Sequence, residues 1–212
     1  MIVGNSLELS KDLSNFVKKK VHTIYNPCFF RLKKNYSKNF RIINVGRLVN
    51  QKDQMTILKA YSLSKFKKNI QLVIYGNGKE YQKLNNYIKS YKLCNAKIVK
   101  NEFNHKKIYQ KASLYIASSK YEGFPNVLVE AASYRIPIIS SNFRSGAKEI
   151  LLNGKGGTFF PKSDHISLAK IIDRFYLSKK IFIYKEKNCA KNLYRFSYKN
   201  NIKKFLNYIN SL

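Results

Sequence analysis

Between Phe40 and Phe160 short apolar runs alternate with longer amphipathic stretches. FRIINV, IQLVIY, AKIV, SLYIA and IPII are rich in Ile and Val, and GTFF adds a late aromatic run. Runs of that length predict strands, and their nearly unbroken apolarity predicts burial on both faces. Between them, DQMTILKAYSLSKF, KEYQKLNNYIKSYKL, HKKIYQKA and PNVLVEAASY read as helices. In the first of these, Met55, Ile57, Leu58, Tyr61 and Leu63 supply the apolar positions. Strands alternating with helices predict βαβ units and a parallel sheet, hence a doubly wound, Rossmann-like α/β fold. Ligands of such sheets bind outside the carboxyl ends of the strands. Gly46-Arg47, Gly76-Asn77-Gly78, Asn101-Glu102-Phe103 and Ser118-Ser119 fall there.

The flanks read differently. Residues from about Ser6 to Lys20 predict a helix with Leu9, Leu13, Phe16 and Val17 at helical spacing, capped by Ser10 with Asp12 in its first turn. Asn26-Pro27 is a break, and Lys33 to Asn39 is polar and linker-like. From about Ser163 the chain reads as helices, ending in SYKNNIKKFLNYINSL. The expected division is residues 1–37, a leading fragment and linker; 38–178, the α/β domain; and 179–212, a helical tail.

Charge changes the picture more than composition does. Hydrophobic residues make up 44%, enough for a core, but 41 Lys and Arg against 11 Asp and Glu leave a net charge of +30. A balance like that attracts nucleic acid, anionic lipid or phosphate ligands. The lysines are spread along the chain, as coding bias toward Lys, Asn, Ile and Tyr would spread them. No helix-turn-helix, RNP or zinc pattern accompanies them, so a basic nucleic-acid-binding protein is kept only as the lesser alternative. Cys28, Cys94 and Cys189 are far apart and form no metal spacing with His22, His105 or His165, which reads as reduced thiols in a cytosol. No apolar run approaches the roughly 18 residues of a membrane span. The opening MIVGNSLELSKD lacks the pattern of a secretory signal.

Against this basic background, KYEGFPNVLVEAASY carries two carboxylates, Glu122 and Glu130. Gly123 allows close approach of a ligand, and Pro125 suits a first helical position. The amides of Asn126, Val127 and Leu128 would then be free at a helix start, where the macrodipole favours a phosphate. A carboxylate one turn further in, Glu130, can accept two hydrogen bonds from a vicinal diol such as a ribose. Upstream, NVGRLVNQKDQ places a turn at Gly46, a planar guanidinium at Arg47 and an ammonium at Lys52. Two cations there can neutralise a diphosphate.

These segments together resemble the retaining glycosyltransferases of family 4, which have the GT-B fold. The resemblance rests on Gly46-Arg47-Leu48 with Lys52, the glycine turn YGNG, the paired-glutamate stretch EGFPNVLVE, and the runs AASYRIPIISSN and GAKEILLNGKGGTFFP. It covers most of the chain, from about Asn5 into the tail. It implies that Arg47 and Lys52, beside the Gly46 turn, bind the donor diphosphate and that Glu130 holds the ribose. It further implies that Glu122 and the backbone of Gly123 and Phe124 contact the donor sugar. The Asn126 and Val127 amides would meet the phosphates, and Phe103 would line the base pocket. The implied reaction moves a sugar from a nucleotide-diphospho-sugar to an acceptor hydroxyl with retention, in surface polysaccharide or lipid-linked glycan synthesis. No Asp-x-Asp pattern occurs, and neither metal nor other cofactor is expected.

The departure from the family is at the front. The chain reads as the C-terminal, donor-binding half, with the first GT-B domain largely missing. NSLELSKDLSNF and VHTIYNP look like the end of that domain and the linker out of it, and FSYKNNIKKFLNYI like the helix that packs back on it. Either the gene is truncated or a second chain supplies the acceptor half; a non-catalytic remnant that only binds nucleotide-sugar is the alternative. The first domain's histidine has no counterpart, and His22, His105 and His165 read as surface or packing residues. The expected location is the cytoplasm, with peripheral contact to anionic lipid at the inner face of the membrane.

Overall fold

A computed structural model describes residues 2–28 and 40–210; the linker expected at Lys33–Asn39 lies outside them. Six parallel strands form the main sheet: β3 (Arg41–Val45), β4 (Gln71–Tyr75), β5 (Ala96–Val99), β6 (Leu114–Ala117), β7 (Ile138–Ser141) and β8 (Thr158–Phe160), in the order β5-β4-β3-β6-β7-β8. A smaller parallel pair joins β1 (Val3–Gly4) to β2 (His22–Thr23), with α1 (Leu7–Val17) between them. The doubly wound sheet expected from the apolar runs is present.

Strand alternation explains the unbroken apolarity. Ile43, Val73 and Tyr115 point into one core with α4 (His105–Tyr109) and α5 (Asn126–Ser133). Ile42, Leu72, Leu114 and Ile116 point into the other, under α2 (Gln54–Leu63), α3 (Tyr81–Ser90) and α7 (His165–Leu177). The strand interiors are mostly apolar because both faces are covered. The tail is part of the same body: Phe182 and Cys189 of α8 (Lys180–Lys191) and Phe196 are buried in these cores, while α9 (Tyr198–Ile209) sets the Tyr208 ring, tilted, 4.7 Å from that of His22. Among the described residues no helix is long and apolar enough to cross a membrane.

The chain winds outward from β3 to β5 on one side and from β6 to β8 on the other, so β3 and β6 meet at the switch point. Their pairing runs Ile42↔Leu114 and Ile43↔Tyr115. Beyond it, side chains span the gap: Asn44 Nδ2 donates to Ile116 O at 2.8 Å and the Tyr115 hydroxyl to Val45 O at 3.2 Å. The crevice opened there is where a doubly wound sheet binds its ligand.

The leading fragment differs from expectation in its cap. The cap of α1 is Ser6, whose hydroxyl accepts from Leu9 N at 3.2 Å, while Ser10 is buried and donates to Ser6 O. The earlier start follows from β1 ending at Gly4, which leaves Ser6 extended and able to reach back. Phe16 is 86% exposed, so the apolar positions of α1 do not form a covered face. Tyr25 anchors the fragment in the core against Phe124 and Phe196, while α1 itself is held by polar contacts. Glu8 accepts from Arg144 Nε at 2.9 Å and Ser145 N at 2.5 Å, Asp12 pairs with Arg144 at 2.7 Å, and Leu7 N donates to Glu149 Oε1 at 2.8 Å. Replacing Ser6 with Ala should cost about 1 kcal/mol, the usual value of a helix cap. Urea unfolding of the variant measures it; an unchanged midpoint would show that the cap contributes nothing.

Candidate functional site at the sheet switch point

The site begins with two interlocked glycine turns. Gly46 N donates to Tyr75 O, Gly76 N to Val99 O, and Leu48 N to Asn77 O. A Cβ on Gly76 would lie 1.9 Å from Gly46 O, so only glycine lets the β3 and β4 turns nest. From Gly46 the chain passes through a 3-10 turn, Asn50–Lys52, and reverses at Asp53 (φ 48°) into α2.

Lys52 folds back over Gly46. Its Cδ lies 3.5 Å from where a Gly46 Cβ would be, and its Nζ donates to Glu122 Oε1 at 2.5 Å. The same carboxylate oxygen accepts from Ser119 Oγ at 2.7 Å. Backbone and side-chain bonds stitch the two loops together: Ser118 Oγ to Lys52 O, Lys120 N to Gln51 O, and Gln51 Nε2 to Tyr121 O. Lys52 and Glu122, 70 residues apart, are thus one unit at the mouth of the crevice. Arg47 is exposed beside it; its carbonyl accepts from Gln54, and its guanidinium has no hydrogen bond or ion pair among the described residues.

Glu130 lies one turn into α5. Its Oε2 accepts from the Tyr109 hydroxyl at 2.7 Å, and Oε1 has no hydrogen bond among the described residues. Tyr115 links Glu130 to the end of β3: its ring lies 6.4 Å from that of Tyr109, and its hydroxyl donates to Val45 O. Burial pushes its phenol well up, and the charges of Glu130 and Glu122 add to the shift. The Cys28 thiol, half-buried nearby, is pushed up to about 11 by burial and then by Glu130.

The Glu122–Pro125 turn is wedged in place by the loop after β7. Gly146 (φ 62°) sits so close that a Cβ there would be 2.7 Å from Pro125 Cδ and 2.8 Å from Gly123 O. Phe124 is buried against Tyr25 and Phe196, so only its backbone can face a ligand. Gly123 faces Asn5, whose Oδ1 lies 3.5 Å from the Gly123 Cβ position.

The start of α5 corrects one expectation. Pro125 is the cap and Asn126 the first helical residue. The Asn126 amide donates to Phe124 O at 3.1 Å and the Leu128 amide to Pro125 O at 2.9 Å. A tight turn has satisfied both internally, which leaves Val127 N–H as the amide without such a bond among the described residues. The Asn126 side chain instead accepts from Asn26 at 3.2 Å. Phe103 is 79% exposed on the loop after β5, at the same end of the sheet but apart from this cluster. Gly46, Lys52 and Glu122 meet directly where β3 and β6 part; Arg47 follows Gly46 in the chain, and Glu130 connects to the end of β3 through Tyr109 and Tyr115. Ser119, which holds Glu122, was marked in the sequence only as a strand-end residue, and Tyr109, which holds Glu130, was not marked at all: each contact depends on which strands are neighbours.

The class of protein follows from comparison with known ones. The model of Glycosyl transferases group 1 matches residues 29–206, and the chain belongs to that family. It is 31% identical over 161 residues to a diNAcBac-PP-undecaprenol-glycan alpha-1,4-N-acetyl-D-galactosaminyltransferase of Campylobacter jejuni, covering 73% of this chain and 45% of that one. The chain thus spans under half the length of that relative. Its fold is that of a GT-B glycosyltransferase domain. HepE from Anabaena, in complex with UDP and glucose, superposes with a TM-score of 0.89 at 19% identity, over 100% of this chain and 63% of that one. A structure of the GtfA/B complex superposes at 0.82 and 19% identity, over 99% of this chain and 45% of that one.

Proposed function

We propose that this chain is the donor-binding half of a retaining, family 4 glycosyltransferase, transferring a hexose-type sugar from a nucleotide-diphospho-sugar to an acceptor hydroxyl. The observation that carries it is the Lys52–Glu122 contact beside the Gly46 turn, with Glu130 one turn into α5, its Oε2 held by Tyr109 and its Oε1 without a hydrogen bond among the described residues. In this reading Arg47, Lys52 and the Val127 amide meet the diphosphate, with no metal required. Developing negative charge on a leaving group is stabilised by such preorganised donors. Glu130 takes the ribose hydroxyls, Phe103 the base, and Glu122 with the Gly123 and Phe124 backbone the sugar. The acceptor side would come from a preceding domain or from a second chain; the two-protein name of the GtfA/B neighbour is a precedent for the latter. The undecaprenol-linked substrate named for the Campylobacter relative favours a lipid-linked or polysaccharide acceptor. With the net charge of +30, it also favours peripheral contact with anionic lipid.

Nucleoside diphosphates should raise the unfolding temperature. At a hundred times the dissociation constant the added stability is about 2.7 kcal/mol. Differential scanning against UDP, GDP and ADP and their sugars tests this. No shift with any of them would remove the donor-site reading. Binding without sugar transfer, with or without membranes, would instead favour a chain that only binds donor.

A further inference from the structure

The contact that holds Glu130 goes beyond the donor reading, on which it rests. Tyr109 is the last residue of α4 and is fully buried. Its ring stacks on Tyr134, at the end of α5, with centroids 5.1 Å apart and planes 22° apart. It also meets Tyr115 at 6.4 Å and the edge of His105 at 5.9 Å. A ring packed on three aromatic sides has its hydroxyl aimed in one direction, and that direction is Glu130 Oε2.

A glutamate side chain loses rotamer freedom when a ligand orders it. A hydrogen bond from a fixed donor to one carboxylate oxygen makes that loss before the ligand arrives. It also divides the carboxylate: Oε2 is engaged with the protein, and Oε1 has no hydrogen bond among the described residues. The hydroxyl group of tyrosine is neutral and brings no cation to the carboxylate, so hydroxyls of a ligand would donate to it as charge-assisted bonds. We infer that Tyr109 is a positioning residue that holds Glu130 in the rotamer which reads the ribose hydroxyls of the donor. A second consequence concerns α4. Asn101–Phe103 leads directly into this helix, so the loop proposed to meet the base and the residue that aims the ribose carboxylate belong to one short segment.

The experiment is a comparison of nucleotides on the full chain. UDP, GDP, their 2′-deoxy counterparts and pyrophosphate are titrated into wild type, Tyr109→Phe, Glu130→Ala and the double variant. Wild type should prefer the ribonucleotide by about tenfold, the value of a hydrogen bond to a charged group. Tyr109→Phe should cut that preference to about threefold or less, with pyrophosphate affinity unchanged. In the Glu130→Ala background the same change should add nothing, because a residue acting only through Glu130 has no further effect once it is gone. A Phe variant that does not unfold cooperatively is replaced by Tyr109→Met, whose flexible side chain fills most of the buried space, and the same loss is expected. An unaltered ribose preference in a folded Tyr109 variant overturns the inference and leaves the donor site standing. Equal weakening toward pyrophosphate also overturns it, since a merely structural role would do that. Wild type that binds none of the nucleotides overturns the donor reading and this inference together.

Discussion

Lys52→Met is expected to lower nucleoside-diphosphate affinity about a hundredfold, since a charge-assisted bond is worth about 1.5–3 kcal/mol and its removal also leaves a like charge behind. The like charge is Glu122. In the native protein Lys52 Nζ sits 2.5 Å from Glu122 Oε1, with the two side chains only 16% and 11% exposed. Removing the cation leaves a carboxylate held by Ser119 alone, facing the crevice that the diphosphate must enter. The free protein should lose stability too. A fully buried pair broken on one side costs about 3–5 kcal/mol; residual exposure and the Ser119 bond reduce that here to about 2 kcal/mol. Lys52→Met with Glu122→Gln should recover most of the stability, because no unpaired charge remains, but should not recover the affinity. Urea unfolding and isothermal titration read the two quantities separately. A Lys52→Met protein that binds nucleotide as tightly as wild type would exclude this lysine from the phosphate site.

Glu130→Ala is expected to weaken ribonucleotide binding by about 10–100-fold while leaving pyrophosphate almost untouched. The selectivity comes from position. Arg47 and Lys52 stand on the β3 side of the crevice, and Glu130 stands on α5, beyond β6. A ligand lacking a pentose does not reach it. The variant also removes the acceptor for the Tyr109 hydroxyl, and a buried hydroxyl that loses its acceptor costs about 1–3 kcal/mol. Its unfolding midpoint should therefore fall even without ligand. Equal loss of affinity for pyrophosphate and ribonucleotide would place Glu130 in the phosphate site, or in general packing, and not on the sugar.

How much of this was legible in the residues varies from element to element. The core strands from FRIINV to IPII were, because a strand buried on both faces has to be mostly apolar, and that constraint is written locally. The Gly46 and Gly76 turns were visible as glycines at strand ends, but that Gly76 is indispensable because Gly46 O lies against it could not be read from either segment. The leading helix misled. Ser10 read as its cap, yet Ser6 closes it, and α1 is held by Glu8 and Asp12 contacts to Arg144 and Ser145 and by Leu7 N on Glu149. At the α5 start, Pro125 suggested three free amides. The actual turn is tighter and satisfies two of them.

The residues alone determined the parallel α/β architecture, the elements in order, and the chemical types available at the strand ends: two cations, two carboxylates and a glycine-opened helix start. They could do so because apolar periodicity and glycine or proline punctuation act over a few neighbours. Tertiary structure alone decided that Lys52 answers Glu122, that Ser119 and Tyr109 aim the two carboxylates, and that the crevice opens where β3 parts from β6. Those facts depend on strand order, which brings together positions tens of residues apart, and no local pattern carries that distance.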